Sequence, residues 1–203
     1  MDDIQKTKEA LEANNIECIV VESKEEALQK ALEIIPEGAE IGLGGSVTVE
    51  QIGLLEKLRT GNYTLYDQYE PGIEMEENLR RRKKGMLAKY FVAGTNAITL
   101  DGQLVNVDGM GNRVCAQIFG PDKVVLVAGT NKIVKDIHAG FERLQEIAPI
   151  NAKRVGIPTP CLETEECIDC DAPTRICNMY TIIRRMMFPG RLTLILVKDK
   201  LGY

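Results

Sequence analysis

The sequence predicts a three-layer α/β/α protein with a mostly parallel, mixed sheet. Strand-like segments alternate with helical segments, which is the pattern of βαβ units. Two continuous apolar runs, 123–128 (KVVLVA) and 192–197 (LTLILV), are typical of parallel strands that helices cover on both faces. Asp101-Gly102 separates two further strand-like runs and indicates a hairpin, whose antiparallel pair would make the sheet mixed.

The first half of the chain contains four predicted helices and three predicted strands. Ser23 and Glu26 have the spacing of a capping box, which marks the start of the second helix. β-Branched residues mark the first strand, and charged residues dominate the fourth helix. In chain order we expect a helix over 2–14, a strand over 16–21, a helix from Ser23 to Pro36, a strand over 39–43, a helix over 47–58, a strand over 63–66 and a helix over 72–88.

The second half contains the hairpin and the two most apolar strands. Pro149 is expected to break a helix, because proline lacks the amide hydrogen that a helix uses. We expect one domain over 1–203, with a Cys-rich loop at about 158–178. The expected elements are strands over 90–93, 97–100 and 103–107, a short helix over 113–119, the strand 123–128, a helix over 133–148 and the final strand 192–197.

The charge balance excludes one class of partner. The chain of 203 residues has a formal net charge of −5, whereas a nucleic-acid-binding groove needs a dense positive face. The basic run 80–84 (RRRKK) follows Glu74, Glu76 and Glu77 at helical spacing, which favours a solvated helix face.

No apolar stretch approaches the roughly 20 residues that span a bilayer, and the acidic start is unlike a signal peptide. We therefore expect a cytoplasmic protein that binds neither nucleic acid nor membrane.

A glycine-rich turn joins a predicted strand to a predicted helix and is the first candidate ligand site. Glycines let a backbone approach a ligand closely, and the following helix presents free N–H groups to an anion. The alternative is a tight turn in which Ser46 is a plain helix N-cap. The candidate ligand residues of this turn are Gly42, Gly44, Gly45, Ser46 and Thr48.

The segment 95–113 is unusually rich in polar side chains and is the second candidate. The candidate catalytic residues are Asp108, which has the chemistry of a general base, and Arg113, whose planar fork suits a carboxylate or phosphate. The alternative is that Asp and Asn only shape turns. Further candidate ligand residues are Thr95, Asn96, Asp101, Asn106 and Asn112. Ligands of open α/β sheets bind at the carboxyl ends of strands, so we expect both segments to face one cleft.

Four cysteines follow a C-x5-C-x2-C-x6-C pattern: Cys161, Cys167, Cys170 and Cys177. Four thiolates can hold zinc or an iron–sulfur cluster, and structural or redox thiols are the alternative. Cys18 and Cys115 are expected in the core, and His138 is expected on a helix surface.

Five segments resemble the lactate-utilisation (LUD) domain family across nearly the whole length of the chain. They are GLGGSVT (42–48), FVAGTNAITLDGQLVNVDGMGNRV (91–114), FGPDKVVLVAGTNKIV (119–134), PCLETEECIDCDAPTRICN (160–178) and PGRLTLILVKDKLGY (189–203). The resemblance implies the NagB/RpiA/CoA transferase-like fold, with substrate or cofactor at the glycine turn. It also implies a role in lactate or related organic-acid metabolism beside iron–sulfur partner proteins. The chain lacks the Asp-Gly-Ala-Asp-Glu signature of the isomerases, and no CoA-transferase glutamate is clear.

Three functions remain open on the sequence. The first is an accessory or redox-linked component that binds a small anionic ligand at the glycine turn. The second is a stand-alone isomerase- or transferase-type enzyme for a phosphorylated or CoA-linked substrate. The third is a zinc-stabilised binding protein without chemistry. Homo-oligomerisation is open in each case.

Overall fold

The structure is a computed structural model that describes residues 2–203. Its strands are β1 (Glu17–Val21), β2 (Glu40–Leu43), β3 (Thr64–Tyr66), β4 (Tyr90–Gly94), β5 (Ala97–Thr99), β6 (Leu104–Asp108), β7 (Lys123–Gly129), β8 (Ile133–Val134), β9 (Met179–Ile183) and β10 (Leu192–Val197). Its helices are α1 (Asp3–Ala13), α2 (Lys24–Ile34), α3 (Val47–Gln51), α4 (Leu54–Thr60), α5 (Met75–Leu87), α6 (Asn112–Ile118), α7 (Ile137–Val155) and α8 (Cys161–Thr164), with a short 3-10 turn at Thr130–Lys132.

The strands form two sheets rather than the single mixed sheet that the sequence predicts. The main sheet has six strands in the order β1-β10-β7-β4-β2-β3, and every pair in it is parallel. The predicted hairpin at Asp101-Gly102 is confirmed, because β5 and β6 pair antiparallel. That hairpin lies in a second sheet of order β8-β5-β6-β9, so the antiparallel pairs are separated from the parallel ones.

The main sheet is buried on both faces, as its apolar strands predict. In β7, Val125 and Val127 pack with apolar residues of α2, α3 and α4 on one face. Val124 and Leu126 point to the other face, where they pack with α1, α6 and the second sheet. Helix α7 covers the far side of the second sheet. The α/β class and the mostly parallel sheet are therefore confirmed.

Several elements differ from the sequence prediction. Strand β8 occupies Ile133–Val134, where the helix expected over 133–148 should begin. The helix expected over 47–58 is two helices, α3 and α4, because Gly53 between them has a φ of +75°. Helix α7 continues through Pro149 instead of breaking there. Strand β9 lies in a stretch for which no strand was expected, and it pairs antiparallel with β6 at the edge of the second sheet.

Helix α5 rests on strand β2 through direct backbone contact between two glycines. A Cβ atom added to Gly42 would lie 2.1 Å from the carbonyl oxygen of Gly85. Side chains at this contact would push the helix away from the sheet. The Gly42 position therefore fixes how close α5, and the side chains it carries, come to the end of β2.

Among residues 2–203, no helix combines the length and the apolar character that crossing a membrane requires.

Replacing Gly42 by alanine is expected to lower the free energy of unfolding by about 1–3 kcal/mol, because the new methyl group must displace backbone rather than a flexible side chain. Urea denaturation measures the change. Glu40→Ala, at an exposed position of the same strand, is the matched control and should change stability by less than about 0.5 kcal/mol. Equal effects of the two substitutions would show that the glycine contact does not constrain the packing.

Candidate functional site

The carboxyl ends of three neighbouring strands bring the candidate segments together. Strands β2, β4 and β7 are parallel and adjacent, so their ends meet at one edge of the main sheet. Gly44–Ser46 follow β2, Thr95 and Asn96 follow β4, and Lys132 follows β7. This edge is where open α/β sheets bind ligands.

A cavity of about 740 Å³ opens at this edge. Among the candidate ligand residues and the two predicted catalytic residues, the cavity is lined by Gly45, Ser46, Thr48, Thr95, Asn96, Asp108, Asn112 and Arg113. The expected convergence of the glycine turn and the segment 95–113 on one cleft is therefore observed. Four candidates are outside the lining: Gly42, Gly44, Asp101 and Asn106.

Arg113 is a hub whose guanidinium is saturated with hydrogen bonds. Its Nε donates to Asp108, and its two amino groups donate to the side chains of Asn96 and Asn106 and to the carbonyls of Gly94 and Val107, at 2.6–3.3 Å. A guanidinium has five N–H donors, and all five have acceptors here. Arg113 therefore has no donor to spare for the predicted ligand clamp. The arrangement favours a positioning role, in which one largely buried cation joins the end of β4, the loop after β4 and strand β6.

Asp108 is likewise occupied. Its carboxylate accepts from the backbone N–H groups of Met110 and Gly111 and from Arg113, with Nε–Oδ2 at 3.1 Å. With these three donors, one of them on the Arg113 guanidinium, the carboxylate is fully engaged inside the protein. This geometry favours shaping the loop and orienting Arg113 over the predicted role as a general base.

Two of the candidates outside the cavity lining, Asn106 and Asp101, have structural partners. Asn106 is fully buried, and its side chain accepts from Thr95, Asn96 and Arg113 and donates to Gln117. Asp101 lies at the hairpin turn, where it accepts from Thr99 and Gln103, and the first of these bonds lowers its pKa. Asp101 thus closes the hairpin and does not face the cavity.

The glycine turn is shaped by side chains that cross it. A Cβ atom on Gly44 would lie 2.7 Å from Cγ of Arg113, so the missing side chain lets Arg113 pass over the turn. Ser46 caps α3 by accepting from the N–H of Val49 at 3.3 Å, as the alternative reading of the turn expects. Ser46 also lines the cavity, so one residue both caps α3 and forms part of the cavity wall.

Lys132 is a buried cation in the cavity wall that the sequence analysis did not single out. It is only 6% exposed, and its Nζ donates to Oγ1 of Thr48 at 3.0 Å. Within residues 2–203, no carboxylate lies within salt-bridge distance of it. Burial, followed by the charges of Arg143 and Arg113, lowers the pKa of Lys132 to about 7.

Arg82 is the second residue that the sequence analysis missed. The expected solvated face is confirmed for its neighbour Arg80, which pairs with Glu77. Arg82 instead faces the cavity, where it donates to Asn78 and Asn112 and lies 5.8 Å from the ring centre of Tyr69. Only two of its five donors have protein acceptors in the part of the chain that the structure describes.

The model of the LUD domain matches residues 4–197. The chain belongs to the LUD domain family. A DUF162 family protein of Deinococcus radiodurans has a similar structure, with a TM-score of 0.51 at 15% identity over 96% of both chains. That likeness shows that the fold of the LUD domain is shared.

Two further solved structures overlap the LUD domain in part. The eIF2B delta subunit of Chaetomium thermophilum has a TM-score of 0.38 at 18% identity, over 56% of this chain and 49% of its own. Ribose 5-phosphate isomerase of Plasmodium falciparum has a TM-score of 0.33 at 18% identity, over 55% and 52%. Such partial overlaps carry nothing about activity. A comparison with curated proteins gives no match.

The cysteine segment of the LUD domain reaches the cavity at one residue. Cys177 lines it, and burial raises the pKa of this thiol, with the neighbouring Cys167, Cys161 and Cys170 raising it further. Across residues 2–203, no three His, Cys, Asp or Glu side chains are grouped so that they could hold a metal ion. Zinc or iron–sulfur binding at the four cysteines stays a prediction.

The other two cysteines and the histidine were also assigned to the core or the surface from the sequence. Cys18 is buried, as expected, but Cys115 is exposed, so the core assignment of Cys115 is wrong. It lies on the outer face of α6, whose inner face is taken by Val114 and Ala116. His138 is exposed on α7, as expected.

Replacing Arg113 by lysine is expected to destabilise the LUD domain by about 2–4 kcal/mol. Lysine keeps the charge but has three donors, so at least two of the five acceptors lose their partner. Urea denaturation measures the loss. Arg154→Lys is the control, since Arg154 is exposed and bonds only Asn151. An Arg113→Lys protein as stable as that control would contradict the hub.

The pH dependence of stability should report Lys132. An unfolded lysine titrates near 10.4, whereas the folded pKa of Lys132 is about 7. Between these values the unfolded state holds the extra proton, so stability rises with pH over this window. Wild-type stability measured relative to Lys132→Met should therefore increase from pH 7 to pH 9. Parallel curves for the two proteins would show that the buried amine has an ordinary pKa.

Proposed function

We propose that this LUD domain binds a small organic anion in the cavity, as a cytoplasmic component of lactate or related organic-acid metabolism. The observation that carries the proposal is the charge of the cavity wall. Five basic side chains line it, namely Arg82, Arg113, Lys132, Arg154 and Arg175, against one acidic side chain, Asp108, which is already paired with Arg113. In a chain of net charge −5, such a local excess of positive charge favours an anion.

Three of these basic groups are available to a ligand. Arg82, Lys132 and Arg154 have no carboxylate partner within the described residues, 2–203, and each keeps N–H donors free. Arg113 adds charge without free donors, and Arg175 is paired with Asp169. Arg82 is the strongest candidate for direct contact, because it is only partly exposed and is held in place by Asn78, Asn112 and the Tyr69 ring.

The size of the cavity fits a metabolite. Small-molecule sites have volumes of roughly 300–1,000 Å³, and the cavity has about 740 Å³. This is ample for a three-carbon acid and sufficient for a phosphorylated sugar. Hydroxyl and amide groups of Ser46, Asn96 and Asn112 line the same space and supply the directional contacts that such a ligand needs.

Two roles are compatible with this binding site. In the first, the LUD domain is an accessory or redox-linked component that acts beside iron–sulfur partner proteins. In the second, it is a stand-alone isomerase- or transferase-type enzyme for a phosphorylated or CoA-linked substrate. The saturated state of Asp108 and Arg113 supports the first role, because neither predicted catalytic residue is free. Turnover of ribose 5-phosphate or of a CoA thioester by the purified chain alone would favour the second.

Isothermal titration calorimetry with inorganic phosphate, L-lactate, pyruvate and ribose 5-phosphate tests the proposal. We expect at least one of these anions to bind and its affinity to fall with added salt. Arg82→Gln should weaken that binding about tenfold or more, because a hydrogen bond to a charged group contributes on the order of 1.5–3 kcal/mol.

Lys83→Gln is the matched control, since it removes one charge from the exposed face of the same helix. The affinity of this variant for the anion should equal that of the wild type within about twofold. Equal weakening by both variants would mean that only the overall charge matters, and absence of binding by all four anions would overturn the proposal.

A further inference from the structure

Lys132 combines features that a purely electrostatic role does not require. An anion-binding lysine works as a permanently charged group, usually with access to water. Lys132 is instead buried in the 3-10 turn after β7 with one polar partner, the hydroxyl of Thr48. Burying a lone ammonium is costly, and a neutral amine avoids that cost.

The charged groups around Lys132 act in the same direction. Arg143 from α7 and Arg113 from α6 both disfavour a further positive charge, and the pKa of Lys132 is lowered to about 7. A large share of the molecules therefore carries a free amine at neutral pH. A lysine desolvated in a pocket beside other cations is the arrangement that makes the amine a nucleophile.

The cavity sets what such an amine can reach. Lys132 lines the same wall as Ser46 and Thr48, and Arg82 and Arg154 line the cavity as well. A ligand whose anionic group is held by the free arginine donors would bring its carbon skeleton within the space that Lys132 also faces. Sharing one cavity with the amine matters chemically only if the ligand has a carbon that an amine can attack.

We propose that Lys132 is a Schiff-base lysine and that the bound anion carries an aldehyde or ketone group. This inference rests on the proposed function and narrows its ligand class to carbonyl-bearing organic acids and phosphates. An anion without a carbonyl group would bind but not react.

The reaction balances with water as its only by-product. The lone pair of the neutral Nζ attacks the carbonyl carbon, and the carbonyl oxygen takes up a proton that leaves the nitrogen, which gives a carbinolamine. The carbon–oxygen bond then breaks, the hydroxyl leaves as water with the second proton of the nitrogen, and a carbon–nitrogen double bond remains. Thr48 is the positioning residue, because its hydroxyl accepts a hydrogen bond from Nζ of Lys132 and holds the amine in place. Added cyanoborohydride supplies a hydride to the imine carbon, and the resulting secondary amine is stable.

Reductive trapping with the intact chain tests the inference. The wild-type protein is incubated with pyruvate, or with glyceraldehyde 3-phosphate, and cyanoborohydride at pH 7.5, and the modified lysines are mapped by peptide mass spectrometry. We expect one adduct per chain, at Lys132, with at least a tenfold higher yield than at the exposed Lys84, which serves as the internal reference. The pyruvate arm identifies an oxo acid as the ligand, and the phosphate arm a phosphorylated carbonyl compound.

Variants and a pH series separate a reactive lysine from a structural one. Thr48→Val should slow trapping several-fold without moving the adduct, and Lys132→Arg should abolish it, whereas Lys84→Met should leave it unchanged. The rate in the wild type should rise between pH 6 and pH 8, the range over which the amine loses its proton. The wild-type mapping decides the question even if Lys132→Arg does not fold.

The outcomes distinguish this inference from the proposed function. Binding of inorganic phosphate or L-lactate with no adduct at Lys132 overturns the Schiff base and leaves anion binding intact. An adduct spread over exposed lysines with Lys132 unmodified overturns it as well. A saturable adduct at Lys132 that phosphate competes away supports both.

Discussion

The saturated guanidinium of Arg113 is the interaction on which the candidate site depends. It joins the end of β4, the loop after β4 and strand β6, and it crosses the glycine turn at Gly44. One cation therefore holds together pieces from both sheets. Because its five donors are occupied inside the protein, it supplies positive charge and rigidity to the cleft while other residues remain to contact the ligand.

The parallel sheet explains why those other residues are near one another. Parallel neighbours end at the same edge, so the turns after β2, β4 and β7 share one space although they are far apart in the chain. The glycine contact between β2 and α5 then sets the distance of Arg82 from that edge. Lys132 lies in the turn after β7. The positions of the site residues therefore depend on backbone contacts, namely the pairing of the parallel strands and the glycine contact between β2 and α5.

Much of the architecture could be predicted from the sequence, whereas the roles of single residues were harder to predict. The apolar runs of β7 and β10 and the Asp101-Gly102 hairpin were predictable because each is a local signal. The second sheet was not, since β9 pairs across a long stretch of sequence and its side chains are partly exposed.

The same limit applies within the site. The density of polar residues in 95–113 indicated the cleft, but the saturation of Arg113 depends on carbonyl positions that only the fold supplies. Arg82 was hidden in a charged run because the rotation of α5 is set by packing. Lys132 had one usable signal, a basic residue shortly after the apolar strand predicted over 123–128.

The central claim is that a positively charged cleft at the carboxyl edge of the sheet holds a small anion. A crystal structure of the chain grown with tungstate, an electron-dense oxyanion, tests it most directly through anomalous difference density. The account predicts a peak in the cleft within hydrogen-bonding distance of the Arg82 guanidinium. Tungstate bound only at the outer surface, with no density in the cleft, would contradict it.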